Sequence, residues 1–156
     1  MPANERKWQT GALVFDQVGV VFVRRLRRLR RFFKSMNYEI SRKVIGCAMK
    51  VHREMGCGFL ERVYENALSI ELRRKGVDFE RQVSLRVHYN GEPVGHYIAD
   101  IIVGNELLLE LKAIQSITGS CKSQLLNYLK ASGLPAGLIL NFGSKSLEFK
   151  RMARTQ

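Results

Sequence analysis

The stretch from Asp100 to Lys112, reading DIIVGNELLLELK, leaves few architectures open. Residues 106–113 are almost wholly apolar, as in a central strand covered on both faces. Gly104-Asn105 forms a tight turn back to a second strand over 94–103. Residues 82–89 (QVSLRVHY) alternate apolar and polar and read as a half-buried strand. Asn90-Gly91 joins this strand to the second through a hairpin turn. The three segments predict an antiparallel meander with charge placed inside it. Side chains alternate along a strand, so Glu110 and Lys112 share one face while Leu109 and Leu111 share the other. Charge in so apolar a hairpin is costly unless a metal ion or a counter-charge compensates. Two carboxylates beside an ammonium group suit a hard cation and a phosphodiester. A two-residue turn pairs Val103 with Glu106 and sets Asp100 against Leu109, one position short of Glu110. A bulge or a one-residue change of register would bring the two acids to one face.

Helices flank the meander in sequence. Val44, Ile45, Ala48, Val51 and Met55 recur at helical spacing over 41–55, with Ser41 as N-cap and Ile40 and Ile45 as a hydrophobic staple. His52 lies on or beside that apolar face and reads as a hydrogen-bonded core residue. Gly56-Cys57-Gly58 ends the helix, and a second runs from about Phe59 to Lys75, closed by Gly76. Glu61 sits near its positive end, where the dipole favours an acid, so a capping role and a site role both stand. A third helix over 121–131 sets Gln124 and Tyr128 one turn apart on one face. Strands over 137–142 and 146–151 complete a mixed α/β, or α+β, order.

The formal charge of +12 makes a polyanionic partner a reasonable expectation. Nine of the 26 Lys and Arg residues fall in the first 35 positions, so the remainder is only moderately basic. We therefore divide the chain into a basic extension over 1–35 and a folded domain over 36–156. Within the extension, 23–34 (VRRLRRLRRFFK) reads as a basic amphipathic helix or a solvated tail. Residues 11–23 are apolar but shorter than the roughly 20 residues a membrane span needs. Three cysteines without a CxxC pair point to a reduced, cytoplasmic setting, and the histidines lack zinc-site spacing.

Gly58-Phe-Leu-Glu61-Arg-Val-Tyr64 resembles the GxxExxY signature of a group of small bacterial and archaeal proteins. Val51-His52-Arg-Glu, Phe79-Glu-Arg-Gln-Val83, Ala99-Asp100, Glu110-Leu-Lys112, Gln124-Leu-Leu-Asn-Tyr128-Leu-Lys130 and Asn141-Phe-Gly143 are similar to that group in order and spacing. The group is placed in the PD-(D/E)XK nuclease-like superfamily. The resemblance implies a restriction-endonuclease-like core, α-βββ-α-β, with a mixed central sheet flanked by helices. It also implies that Asp100 and Glu110 are metal ligands and Lys112 the catalytic lysine. Glu61 resembles the accessory acid that orients a metal-bound water, and serves as a third metal residue. Gln124 and Tyr128 are similar to a QxxxY element on the substrate side. Ala99 stands where the superfamily's name has proline, and Gly119 and Cys121 replace a Pro and a His of the relatives. The activity so implied is hydrolysis of phosphodiester bonds with Mg²⁺ or Mn²⁺, on DNA ahead of RNA. Two other readings remain: an inactive nucleic-acid-binding module on the same fold, and an interaction subunit, homodimeric through its last strand.

Overall fold

The computed structural model describes residues 38–154, so the basic extension over 1–35 lies outside the described residues. Within them, helix α1 (38–55) and α2 (Glu61–Arg74) precede strands β1 (Phe79–Tyr89), β2 (Glu92–Val103) and β3 (Leu107–Lys112). Helix α3 (Gly119–Ser132), β4 (Ala136–Asn141) and β5 (Glu148–Ala153) follow. The five strands form one sheet in the order β1-β2-β3-β4-β5, antiparallel except for β3 and β4, which run parallel. A parallel pair needs a crossover, and α3 supplies it. This is the mixed sheet flanked by helices that the sequence predicts.

Each sheet face carries its own core. On one, Val44, Ala48 and Val51 of α1 and Tyr64, Leu68 and Leu72 of α2 pack on Ile101, Leu109, Leu111 and Leu140. On the other, Cys121, Leu125 and Leu129 of α3 pack on Ile102, Leu108 and Ile139. Strand β3 is thus apolar on both sides because helices cover both sides. No helix among the described residues is long and apolar enough to cross a membrane.

The helix ends follow local chemistry, with one revision. Gly76 adopts φ +62°, and the amides of Gly76 and Val77 bond back to Arg73 and Leu72, closing α2 in a Schellman motif. Thr118 caps α3 through its hydroxyl, which accepts from the Cys121 amide at 3.4 Å. Ser41, expected to cap α1, instead lies inside a helix already formed at residue 38. It is buried, and its hydroxyl accepts from Arg151 Nε of β5 at 3.2 Å. A tertiary partner has taken the oxygen that sequence alone assigns to a cap.

The β2–β3 register also differs from the two-residue turn. Val103 pairs with Leu107, so Gly104, Asn105 and Glu106 all belong to the turn, closed by the Glu106 amide on the Val103 carbonyl. The ladder ends at Ile101 opposite Leu109. One step further along both strands, Asp100 stands level with Glu110 rather than Leu109. The odd residue count in the turn supplies the register change that convergence requires.

Candidate active site

The C-terminal ends of the parallel strands β3 and β4 lie side by side, with Lys112 paired to Asn141. Such ends open a crevice where α/β proteins commonly place ligands. Alternation sends Glu110 and Lys112 to the face opposite Leu109 and Leu111, and Ile139, the partner of Glu110, belongs to the α3-side core. Glu110 is only 3% exposed. Its Oε1 accepts from Lys112 Nζ at 2.7 Å, while Oε2 is buried without a hydrogen-bond partner. Burial, opposed by the Lys112 hydrogen bond and reinforced by the Asp100 charge, pushes the Glu110 carboxyl up to about 7. Burial pulls the Lys112 ammonium down, but its hydrogen bond and charge interaction with Glu110 outweigh this and leave it raised.

Asp100 sits at a break in the sheet. The β1–β2 ladder passes from Arg81–Ile101 to Val83–Ala99 with no pair at Gln82 and Asp100. Ile101 packs in the first core but Ala99 in the second, so the normal alternation slips at Asp100. Gln82 absorbs the slip with φ +50°, a left-handed conformation that costs a non-glycine residue about 1–2 kcal/mol. Asp100 Oδ2 accepts from the Leu111 amide at 2.7 Å, which ties the acid to the strand bearing Glu110 and Lys112. Burial raises its pKa; the Leu111 amide lowers it, and the Glu65 charge raises it again.

Glu65 is the acid that sequence reasoning missed. It is 5% exposed, with Oε1 bonded to Arg81 Nε at 2.8 Å and Oε2 to Gln82 Nε2 at 3.0 Å. The bond to Gln82 holds the strained residue in place beside Asp100. The available signal was its position on the buried face of α2, three residues before Leu68 and seven before Leu72. Glu61, one turn earlier, is exposed, and its Oε1 accepts from the Ala113 amide at 3.3 Å. Its charge still acts on Asp100, Glu110 and Lys112.

Gln124 and Tyr128 share a face as expected, and they bond each other, Nε2 donating to the phenol oxygen at 3.0 Å. Tyr128 also packs on Tyr97 with ring centroids 5.2 Å apart. The Asn141-Phe-Gly143 stretch shapes the exit from β3. Asn141 Oδ1 accepts from the amides of Ile114 and Gly143, and its Nδ2 donates to Glu148. A Cβ on Gly143 would fall 2.3 Å from the Ile114 backbone, so only glycine admits this approach. His52 is a satisfied core residue, its Nε2 donating to the Ser144 carbonyl at 2.9 Å.

A family model described as the PD-(D/E)XK nuclease superfamily matches residues 38–152. The chain belongs to that superfamily. Among solved structures, the crystal structure of SSO0001 is similar in fold, with a TM-score of 0.50 at 18% identity. The match covers 61% of this chain and 50% of that one, so the chain spans half the length of that protein. No curated protein matches the chain.

Superfamily members generally act on nucleic acid with divalent metals, and the residues here can be tested against that requirement. Among the described residues, no group of three or more His, Cys, Asp or Glu side chains is close enough to hold an ion. Glu61 Oε1 is instead engaged by the Ala113 amide. The two strand acids alone do fit. Mg²⁺ is ordinarily held by one or two carboxylates with water and substrate phosphate. An orphaned, buried carboxylate oxygen on Glu110 is what such a cation would satisfy.

Proposed function

We propose that this chain hydrolyses phosphodiester bonds in nucleic acid, DNA ahead of RNA, as a cytoplasmic enzyme. The observation that carries the proposal is the Glu110 carboxylate. It is buried at an energetic cost, bonded on one oxygen to Lys112, left open on the other, and level with Asp100. A structural ion pair would have no use for the open oxygen or the second acid. Asp100 and Glu110 would hold Mg²⁺ or Mn²⁺, which supplies Lewis-acid polarisation of the phosphodiester and neutralises developing charge. Lys112, fixed by Glu110, presents its ammonium to the phosphate and offsets charge as the bond breaks. Glu61, at the start of α2, adds a third acid that orients the attacking water. Gln124 and Tyr128 form the substrate-side rim on α3. The narrower GxxExxY grouping rests on the Gly58–Tyr64 motif.

One observation favours a second reading, a binding module without turnover: Glu61 is exposed, and its Oε1 is taken by the Ala113 amide. The two readings separate in one experiment. The full chain is incubated with single-stranded DNA, duplex DNA and RNA, in Mg²⁺, in Mn²⁺ and in chelator. Cleavage that requires metal and disappears in Lys112→Ala is expected. Salt-sensitive binding with intact products under every condition would instead establish the module.

A further inference from the structure

Beside the candidate catalytic cluster lies a cleft of about 520 Å³, within the ~300–1,000 Å³ of small-ligand sites. Phe59, Leu60, Glu61, Arg62, Ala113 and Gly143 line it. Ala113 follows Lys112 at the end of β3, and its amide donates to Glu61, a cleft residue whose charge acts on Asp100, Glu110 and Lys112. Phe59 is 49% exposed and Leu60 79% exposed. An exposed phenylalanine is ordinary, but this one is braced. Its ring meets the Tyr64 ring edge-on with centroids 6.1 Å apart. The Tyr64 hydroxyl donates to the Gly56 carbonyl at 2.8 Å and accepts from the Phe59 amide at 3.2 Å. Tyr64 itself is fully buried and stacks on Phe142 at 4.5 Å. The core thus braces a half-exposed aromatic ring in the lining of the cleft, where Arg62 is its neighbour.

We propose that this cleft seats one unpaired nucleobase against Phe59, so that the substrate enters as a single strand. The inference rests on the hydrolase reading for its orientation, since a strand whose phosphate lies at Lys112 reaches the cleft with an adjacent base. Aromatic faces bind bases of any sequence by stacking, and a nearby cation serves the backbone. A duplex offers no free base, since one must first be unstacked and unpaired. A peptide or a second copy of the chain could also meet an apolar rim. The position of Glu61, which lines the cleft and acts electrostatically on the strand acids, favours the base.

The test is fluorescence anisotropy of the full chain with labelled single-stranded DNA, and with its duplex, both in chelator. Phe59→Ala should weaken single-strand binding roughly 5- to 150-fold and leave duplex binding within about twofold. Phe59→Tyr should bind like the parent protein. Single-strand binding unchanged by Phe59→Ala, or single-strand and duplex binding weakened alike, overturns the proposal. So does a Phe59→Ala protein altered only in its oligomeric state. Because chelator removes turnover, the outcomes for the two readings separate. Phe59-dependent binding without any metal-dependent cleavage keeps the base seat and rejects the hydrolase. Lys112-dependent cleavage indifferent to Phe59 does the reverse.

Discussion

Replacing Glu110 with Gln should make the protein more stable, by an amount that depends on pH. The folded protein holds the Glu110 proton up to about pH 7, whereas the ordinary value is 4.5. Between those values the native state binds more protons than the unfolded chain, so the Glu110 contribution to stability falls as pH rises. The gap of 2.5 pH units corresponds to roughly 3 kcal/mol, fully developed above pH 7 and absent below 4.5. The carboxamide introduced by Glu110→Gln would keep an oxygen for Lys112 Nζ but carry no charge to desolvate. The variant should therefore exceed the parent by up to about 3 kcal/mol at pH 8 and match it near pH 4. At ~2–4 °C per kcal/mol for a chain of this size, Tm at pH 8 should rise by about 6–12 °C. Urea denaturation across that pH range reads the difference directly. Millimolar Mg²⁺ should raise the parent's stability at pH 8, by about 1.4 kcal/mol at tenfold over Kd, and leave Glu110→Gln unmoved. A stability difference that is flat with pH, or a variant weaker than the parent at pH 8, refutes the buried-proton argument.

Other substitutions probe the supports of the site. Tyr64→Phe removes the hydroxyl that bridges Gly56 and Phe59, and should cost about 1–2 kcal/mol with faster amide exchange over residues 56–60. Gly143→Ala drives a methyl into the Ile114 backbone and should cost about 3 kcal/mol or prevent folding, as urea denaturation will report. Glu65→Ala leaves Arg81 and Gln82 without their carboxylate partner and should cost about 3 kcal/mol in thermal denaturation. If the left-handed Gln82 positions Asp100, Glu65→Ala should also slow cleavage at pH values where the protein is fully folded.

Much of this was legible in the chain, and the misses have physical causes. Strands, the three helices and the helix-ending glycines follow from periodicity and turn chemistry, which are local, whereas the crossover role of α3 came from the family resemblance. Asn90-Gly91 closes its hairpin with both residues at positive φ, as its composition implies. The Gly104-Asn105 turn misled by one residue, because Glu106 can belong to either turn or strand and only packing of Leu107 and Leu109 in one core decides. Ser41 has the side chain of a cap, but its partner lies 110 residues away on β5. Glu65 escaped notice because its partners, Arg81 and Gln82, stand on a strand whose left-handed residue no propensity foretells. Asp100, Glu110 and Lys112 stood out because charge in an apolar run is conspicuous at any distance.

The parallel pairing of β3 with β4 has a kinetic corollary. The β2–β3 hairpin closes locally, through three turn residues. The Ile139 neighbour of Glu110 arrives only after α3 has spanned the crossover, a contact of high sequence separation. Until then Glu110 remains hydrated, and its carboxylate is no obstacle to assembly. The dehydration of that carboxylate is thus deferred to the docking of β4. Alkaline conditions should then leave the refolding rate nearly constant and quicken unfolding, so that the protein tolerates its own chemistry by postponing it.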